Sequence, residues 1–198
     1  DTLALGGTAR FSGTIANGAG AAVTLTGGTL DLRNTGPVAL ATLDVSGAST
    51  IGVTIDPATR NATQYQVGSA SFAQGTKVAV SVASVGSAEG DYVIVKAGTL
   101  SGGANLAAAS ASLPFMFKGS VSANDAAGQV SLKVQRKSVA ELGLTRSQAA
   151  AYDAVFKALD KDAKVAGVFL DIREQEGFRD AVQQMLPDHA GGVFETVT

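Results

Sequence analysis

The sequence predicts a mainly β fold: strands stacked as a parallel β-helix, a capping unit on that stack, and a short α-helical tail. Three observations carry this reading. Pairs of apolar residues separated by one position recur at a constant spacing of 20 residues in the first part of the chain. Glycine-rich segments lie between the pairs. Beyond Ser138 the apolar spacing changes from the two-residue period of a strand to the 3.6-residue period of a helix.

The coils occupy residues 1–56. Leu3/Leu5, Val23/Leu25 and Leu43/Val45 form one apolar series, and Leu30/Leu32 and Ile51/Val53 form a second, spaced by 21 residues. Alternation within each pair marks a strand with one buried face. Gly6-Gly7, Asn17–Gly20, Gly27-Gly28 and Asn34–Pro37 supply tight turns between them. An antiparallel sandwich also places strands about every 8–12 residues, but a constant period favours one repeated coil stacked on the next.

Residues 57–137 read as an atypical terminal unit, which a repeat stack needs because an open end exposes strand edges. The 20-residue period ends here. Longer alternating strands follow at Lys77–Val82, Asp91–Lys96 and Val130–Val134, and aromatic residues gather at Tyr65, Phe72, Tyr92, Phe115 and Phe117. Aromatic side chains bury large areas, so this unit is expected to be the most stable part of the chain and the one best able to fold alone.

Residues 138–198 form the tail. Thr145 and Gln148 fit a capping box, and Tyr152, Val155, Phe156 and Leu159 follow on one helical face. Val165, Val168, Phe169 and Ile172 form a second face, and Phe178, Val182, Met185 and Leu186 a third, closed by Pro187 and Gly191-Gly192. These faces require a burial partner, and the end of the stack is the nearest candidate.

Composition narrows function. Of the 198 residues, 15 are Lys or Arg and 17 are Asp or Glu, for a net charge of −2. That balance gives no electrostatic case for nucleic acid or an acidic membrane surface. No cysteine is present, which excludes disulfides and thiolate zinc sites. No apolar run approaches the ~18 residues of a transmembrane helix, and no signal peptide is visible at Asp1–Leu5. The chain opens within a strand-like pattern, as a piece of a longer protein would. Charge is denser in residues 133–198 than before them, which marks a boundary at Lys133–Ser138.

Three stretches resemble the C-terminal passenger region of bacterial autotransporters: LDVSGASTIGVTIDPATRNATQYQV (Leu43–Val67), GSAEGDYVIVKAGTLSG (Gly86–Gly102), and the segments LGLTRSQAAAYDAVFKAL and AVQQMLPDHAGGVFETV of the tail. The resemblance implies a right-handed β-helix stem, an autochaperone-like capping unit at 57–137 and a helical junction before a translocator barrel. It implies a structural and folding role in type V secretion, at the surface or outer membrane of a Gram-negative bacterium or in secreted form. The implied partners are the protein's own C-terminal β-barrel, which is not in this chain, and the outer-membrane assembly machinery; a monomer is expected. Absence of cysteine agrees with passage through a narrow pore. The tail departs from the family pattern, where a single pore helix and short linker commonly follow the autochaperone.

Candidates for chemistry are few. His189, the lone histidine, would have to serve any Ser–His–Asp triad, yet it sits in a turn after a helix, where a solvated or capping role is simpler. Asp31, Asp44 and Asp56 could pair as glycosidase or lyase carboxylates and are the basis of a carbohydrate-active or carbohydrate-binding alternative, with an adhesin stem as another. No Lys/Arg cluster accompanies them in sequence, and strand-end or turn roles are commoner. Gly27–Asp31 matches a calcium-binding repeat only in part. Asn61-Ala62-Thr63 has the form of a glycosylation sequon. The aromatic set at 65, 72, 92, 115 and 117 could stack sugars but suits a core better. The expectation is a non-enzyme, with no catalytic, cofactor-binding or metal-ligating residue assigned.

Overall fold

In the computed structural model, which describes residues 1–86, 88–107 and 111–186, the strands divide between two sheets. One sheet holds β1 (Thr2–Gly6), β3 (Ala22–Thr26), β5 (Pro37–Ser46), β8 (Gln64–Phe72) and β10 (Gly90–Ser101), followed by β13 (Gln129–Arg136) and β12 (Phe117–Asn124), in that spatial order. The other holds β2 (Arg10–Gly13), β4 (Thr29–Leu32), β6 (Thr50–Asp56), β9 (Lys77–Val82) and the two-residue β11 (Ala111–Ser112); β7 (Asn61–Ala62) folds back on β6. The chain is thus mainly β, with parallel sheets and short C-terminal helices. From β1 to β6 each strand lies in the opposite sheet from the one before it, and after β7 the same alternation runs from β8 to β11.

Parallel register turns the sequence period into stacked columns. Leu3 pairs with Val23, Val23 with Leu43, and Leu43 with Ala70. Leu5, Leu25, Val45 and Phe72 form the adjacent column. In the second sheet Leu30, Ile51 and Val78 align. Val23, Leu25, Leu30, Leu43 and Ile51 are fully buried, and each such side chain contributes about 1.5–3 kcal/mol on leaving water.

The regular 20-residue spacing ends after β6, but the parallel stacking does not. β5 pairs with β8 and β6 with β9 (Thr50 opposite Lys77), and β8 pairs with β10 (Tyr65 opposite Val95). The extra length is looped out: the hairpin formed by β6 and β7 lies in the first enlarged turn. The 56/57 boundary therefore crosses continuous sheet, so the segment 57–137 shares its hydrogen bonding and core with the strands before it.

One corner between the sheets is lined by glycines with positive φ. Gly7, Gly27, Gly47 and Gly75 have φ of 59°, 103°, 63° and 90°, and each later one sits against the one before it. A side chain there would both strain the backbone and push successive turns apart. Polar groups fasten the opposite corner. The Asn34 side chain accepts from the Ile15 N–H and donates to the Ile15 carbonyl, both at 3.0 Å, and the Thr63 hydroxyl donates to the Asn34 carbonyl.

Parallel pairing in the first sheet ends at β10. On one edge β10 pairs in parallel with β8; on the other it pairs antiparallel with β13, which pairs antiparallel with β12. A short helix, α1 (Gly103–Ala107), packs near β12. The tail supplies α2 (Arg146–Leu159), α3 (Ala163–Asp171) and α4 (Gln175–Gln184). Thr145 and Gln148 make the reciprocal capping box read from the sequence. The second apolar face is corrected: Ala166, Phe169 and Leu170 are buried, whereas Val168 is 61% exposed. At 3.6 residues per turn Val168 lies about 160° around the helix from Ala166, on the side away from the buried stripe. Ile172 lies past the helix in extended backbone. Pro187, His189 and Gly191-Gly192 lie outside the described residues.

Gly102 has φ 70°, and a Cβ there would meet the Phe72 carbonyl oxygen. Gly102→Ala is expected to lower stability by about 2 kcal/mol or more. Gly20→Ala, where nothing lies within 4 Å, should change it by less than about 0.5 kcal/mol. Urea unfolding of both variants checks the contrast.

Candidate functional site

The residues that distinguish this chain from a bare stack lie where the tail meets its C-terminal end. Strand β13 runs out in Arg136 and Lys137, and both basic side chains turn onto aromatic rings. The Arg136 guanidinium lies 4.3 Å from the Tyr152 ring centre and 3.9 Å from that of Phe156. It donates to Asp153 at 2.9 Å, while its backbone N–H donates to Glu89 at 2.8 Å. Lys137 Nζ sits 3.7 Å from the Phe115 ring centre. The two rings that receive Arg136 are four residues apart on α2, so helical geometry presents them together. Burial pushes the Tyr152 hydroxyl pKa up, against the opposing pull of Arg136.

Phe178 is the hub of the tail. Its ring meets Phe115 at 5.5 Å, Phe169 at 5.7 Å and Tyr152 at 6.1 Å, and it is fully buried. Besides the Arg136 bond to Asp153, hydrogen bonds to backbone carbonyls join tail to stack. The Phe115 N–H donates to the Ile172 carbonyl at 2.7 Å, and Arg173 donates to the Val80 carbonyl of β9 at 3.3 Å. β11 pairs with β9 only at Val78 and Ala79, so Arg173 reaches the β9 backbone just past the point where its strand partner stops. The tail does bury against the end of the stack, as its apolar faces required.

The three aspartates are not brought together. Asp31, in β4, accepts from Arg10 at 2.8 Å, Ser12 at 2.9 Å and Arg33 at 3.4 Å. The sequence expectation that no basic cluster accompanies the aspartates is corrected here: register brings Arg10 from the adjoining strand, a pairing hidden by its 21-residue separation. Burial pushes the Asp31 carboxyl pKa up, but Ser12, Arg10 and Arg33 outweigh it and hold it below the usual value. A carboxylate so engaged is a structural anion. Asp44, in the other sheet, accepts from Ser71 at 2.7 Å. Asp56 caps its own turn through the Ala58 N–H and the Thr59 hydroxyl.

Tyr65, Phe72, Tyr92 and Phe117 are buried, and Phe115 packs on Phe178; none forms an open stacking surface. Tyr65 donates to the Gly52 carbonyl at 2.7 Å across the core. Thr63 of the sequon is fully buried, with its hydroxyl engaged by Asn34 and Thr54. Among the described residues no group of three His, Cys, Asp or Glu side chains could hold a metal ion. His189 lies outside them.

Clefts open on the surface at several places among the described residues. One of about 270 Å³ is lined by Arg60, Asn61 and Asp91. A second of about 300 Å³ lies beside Glu89, Arg136 and Asp153. A third of about 360 Å³ opens between the end of the stack and the tail. Comparison of the chain with protein-family models, with curated proteins and with solved structures finds no match.

Sequence reasoning missed the Arg136 clamp. Its signal was present: a basic pair at a strand end, followed by Tyr152 and Phe156 at i, i+4. Nothing local said that these two features meet.

Asp31 carries a linkage prediction. Its folded pKa is depressed, so its stabilisation is complete above the unfolded value of about 3.9 and is lost as pH falls through the folded one. Asp31→Asn should destabilise the protein at neutral pH and flatten the loss of stability between about pH 5 and pH 2, read from denaturation midpoints across that range. At the clamp, Arg136→Lys is expected to cost about 1–2 kcal/mol, because lysine cannot cover two rings and reach Asp153 together. Asp153→Asn should cost under about 0.5 kcal/mol, since that carboxylate is 84% exposed. Unfolding curves, with proteolysis of residues 138–186, check the pair.

Proposed function

We propose that the strand stack is a right-handed parallel β-helix and that the chain is a structural and folding module of an exported autotransporter passenger. In this reading residues 57–137 act as the autochaperone-like unit, which promotes passenger folding at the cell surface during type V secretion. The observation that carries it is the asymmetry of the stack. At one end parallel pairing gives way to an antiparallel pair, β12–β13, overlaid by helices. At the other, β1 and β2 each pair along one edge only among the described residues. A terminated end supplies a fixed register, and each coil toward the N-terminus can align on the strand edges of the coil after it. Ordered growth from one end avoids the loop-closure cost of assembling all distant pairs at once.

The proposed partners are the protein's own C-terminal barrel and the outer-membrane assembly machinery, with the module at the cell surface or released from it. No catalytic residue is assigned. The carbohydrate-active alternative gains no support from the aspartates, since Asp31, Asp44 and Asp56 stand apart and each is engaged by neighbours.

The test uses the full-length protein that contains this segment. Removal of residues 57–137 should leave the remaining passenger accessible to added protease at the cell surface, while the barrel still inserts. A deleted passenger that stays as protease-resistant as the parent would end the proposal.

A further inference from the structure

The 360 Å³ cleft lies between the stack and the tail. Its walls come from β11 to β12 on one side and from Arg173-Glu174 on the other, with Lys137 between them. Lys118, Lys137 and Arg173 line it with a single carboxylate, that of Glu174. The three cations outnumber Glu174 and the Glu141 carboxylate that pairs with Lys118, which leaves a net positive cleft in a chain of net charge −2.

The three cations are held in place by different means. Arg173 directs one terminal nitrogen at the Val80 carbonyl, and its planar fork has further N–H groups. Lys118 is anchored to Glu141, which also accepts from the Ser138 N–H and hydroxyl. Lys137 makes its ring contact through charge, and a cation–π contact does not use up the ammonium's donors. Burial pushes the Lys137 pKa down; Glu141 pulls it back up, and the Lys118 charge again lowers it. The charge of an anion entering the cleft would offset both the burial of the ammonium and its repulsion by Lys118. Phe115 and Phe117 line an apolar wall, which lowers the competition from water.

We propose that this cleft binds a phosphate-bearing group, held by Lys137 and Arg173 with Lys118 at its edge, and that its occupation fastens the helical tail to the end of the stack. A phosphate fits because its several oxygens can accept from an ammonium and a guanidinium at once. The group would bridge the two elements at this cleft: Ser112 and Lys118 belong to the stack, and Arg173 to the tail. Such binding is independent of any role in export.

Inorganic phosphate titrated into the intact chain, with sodium chloride at matched ionic strength as control, provides the test. Saturable amide shifts at Ser112, Gly119 and Arg173 and a raised unfolding temperature are expected with phosphate alone. Lys137→Gln should weaken binding about tenfold, the equivalent of one charge-assisted hydrogen bond. Arg173→Gln should do the same, and Lys157→Gln on exposed α2 should not. Because Arg173→Gln also removes a tail contact, Lys137→Gln with an unchanged circular dichroism spectrum is the deciding variant. Glucose 1-phosphate and vesicles containing phosphatidic acid distinguish the source. Competition by the sugar phosphate supports a soluble ligand, and co-sedimentation lost in Lys137→Gln supports a lipid headgroup. Equal responses to phosphate and chloride, or full binding by Lys137→Gln, would overturn the proposal.

Discussion

Parallel in-register pairing governs everything else in this molecule. Once Leu3, Val23, Leu43 and Ala70 share one column, the neighbouring positions along each strand are set as well, because side chains alternate between faces with a period of two. A slip by one residue would turn the whole apolar series to solvent. The corner glycines and the Asn34 contacts with Ile15 serve the same requirement, since each keeps successive layers of strands at their spacing, while the Tyr65 bond to Gly52 ties the two sheets across the core. Even Asp31 belongs to this scheme. Its two arginine partners lie on β2 and just after β4, so the ion pairs run along the stack as well as across its surface.

A column built this way must also stop, and backbone donors and acceptors at the last strand need an answer. The first sheet answers by reversing direction, with β13 antiparallel to β10. The second answers with side-chain and loop groups from the tail, since Arg173 reaches β9 where β11 ends and the Ile172 carbonyl receives Phe115. The tail is therefore a continuation of the capping task by other means. Its own cohesion rests on Phe178, and its attachment on Arg136 laid over Tyr152 and Phe156, on Phe115 against Phe178 and on the backbone bonds at Ile172 and Arg173. Such contacts are smaller and more water-accessible than the apolar columns, so the tail should open at lower free energy than the coils.

That ordering bears on the proposed role. A folding module has to hold its terminal register while other segments are still disordered. Here the long strands β8 and β10 lie beside the termination, and β8 carries large buried side chains in Tyr65 and Phe72. The strands at the opposite end, β1 and β2, are shorter and bury less. In the first sheet the strands lengthen toward the terminated end, from five residues in β1 to twelve in β10, whereas in the second sheet β11 at that end has two.

Local patterning was enough to specify eight of the strands (β1, β3 to β6, β9, β10 and β13), the glycine turns and the capping box at Thr145, because each is a matter of period or of conformation within a few residues. Strands β2, β7, β8, β11 and β12 were not read from it. It also located the change from strand to helix after Ser138. Only the assembled fold showed that the parallel pairing continues past residue 56, because a lengthened turn hides the period without breaking the register. The same holds for Arg10 reaching Asp31, Arg136 lying across Tyr152 and Phe156, Val168 facing solvent and Arg173 meeting β9. Those outcomes depend on segments distant in sequence, and no local pattern encodes them. Stacked strands bring residues about one coil apart to adjacent positions, and a stack end leaves backbone groups that something distant must cover.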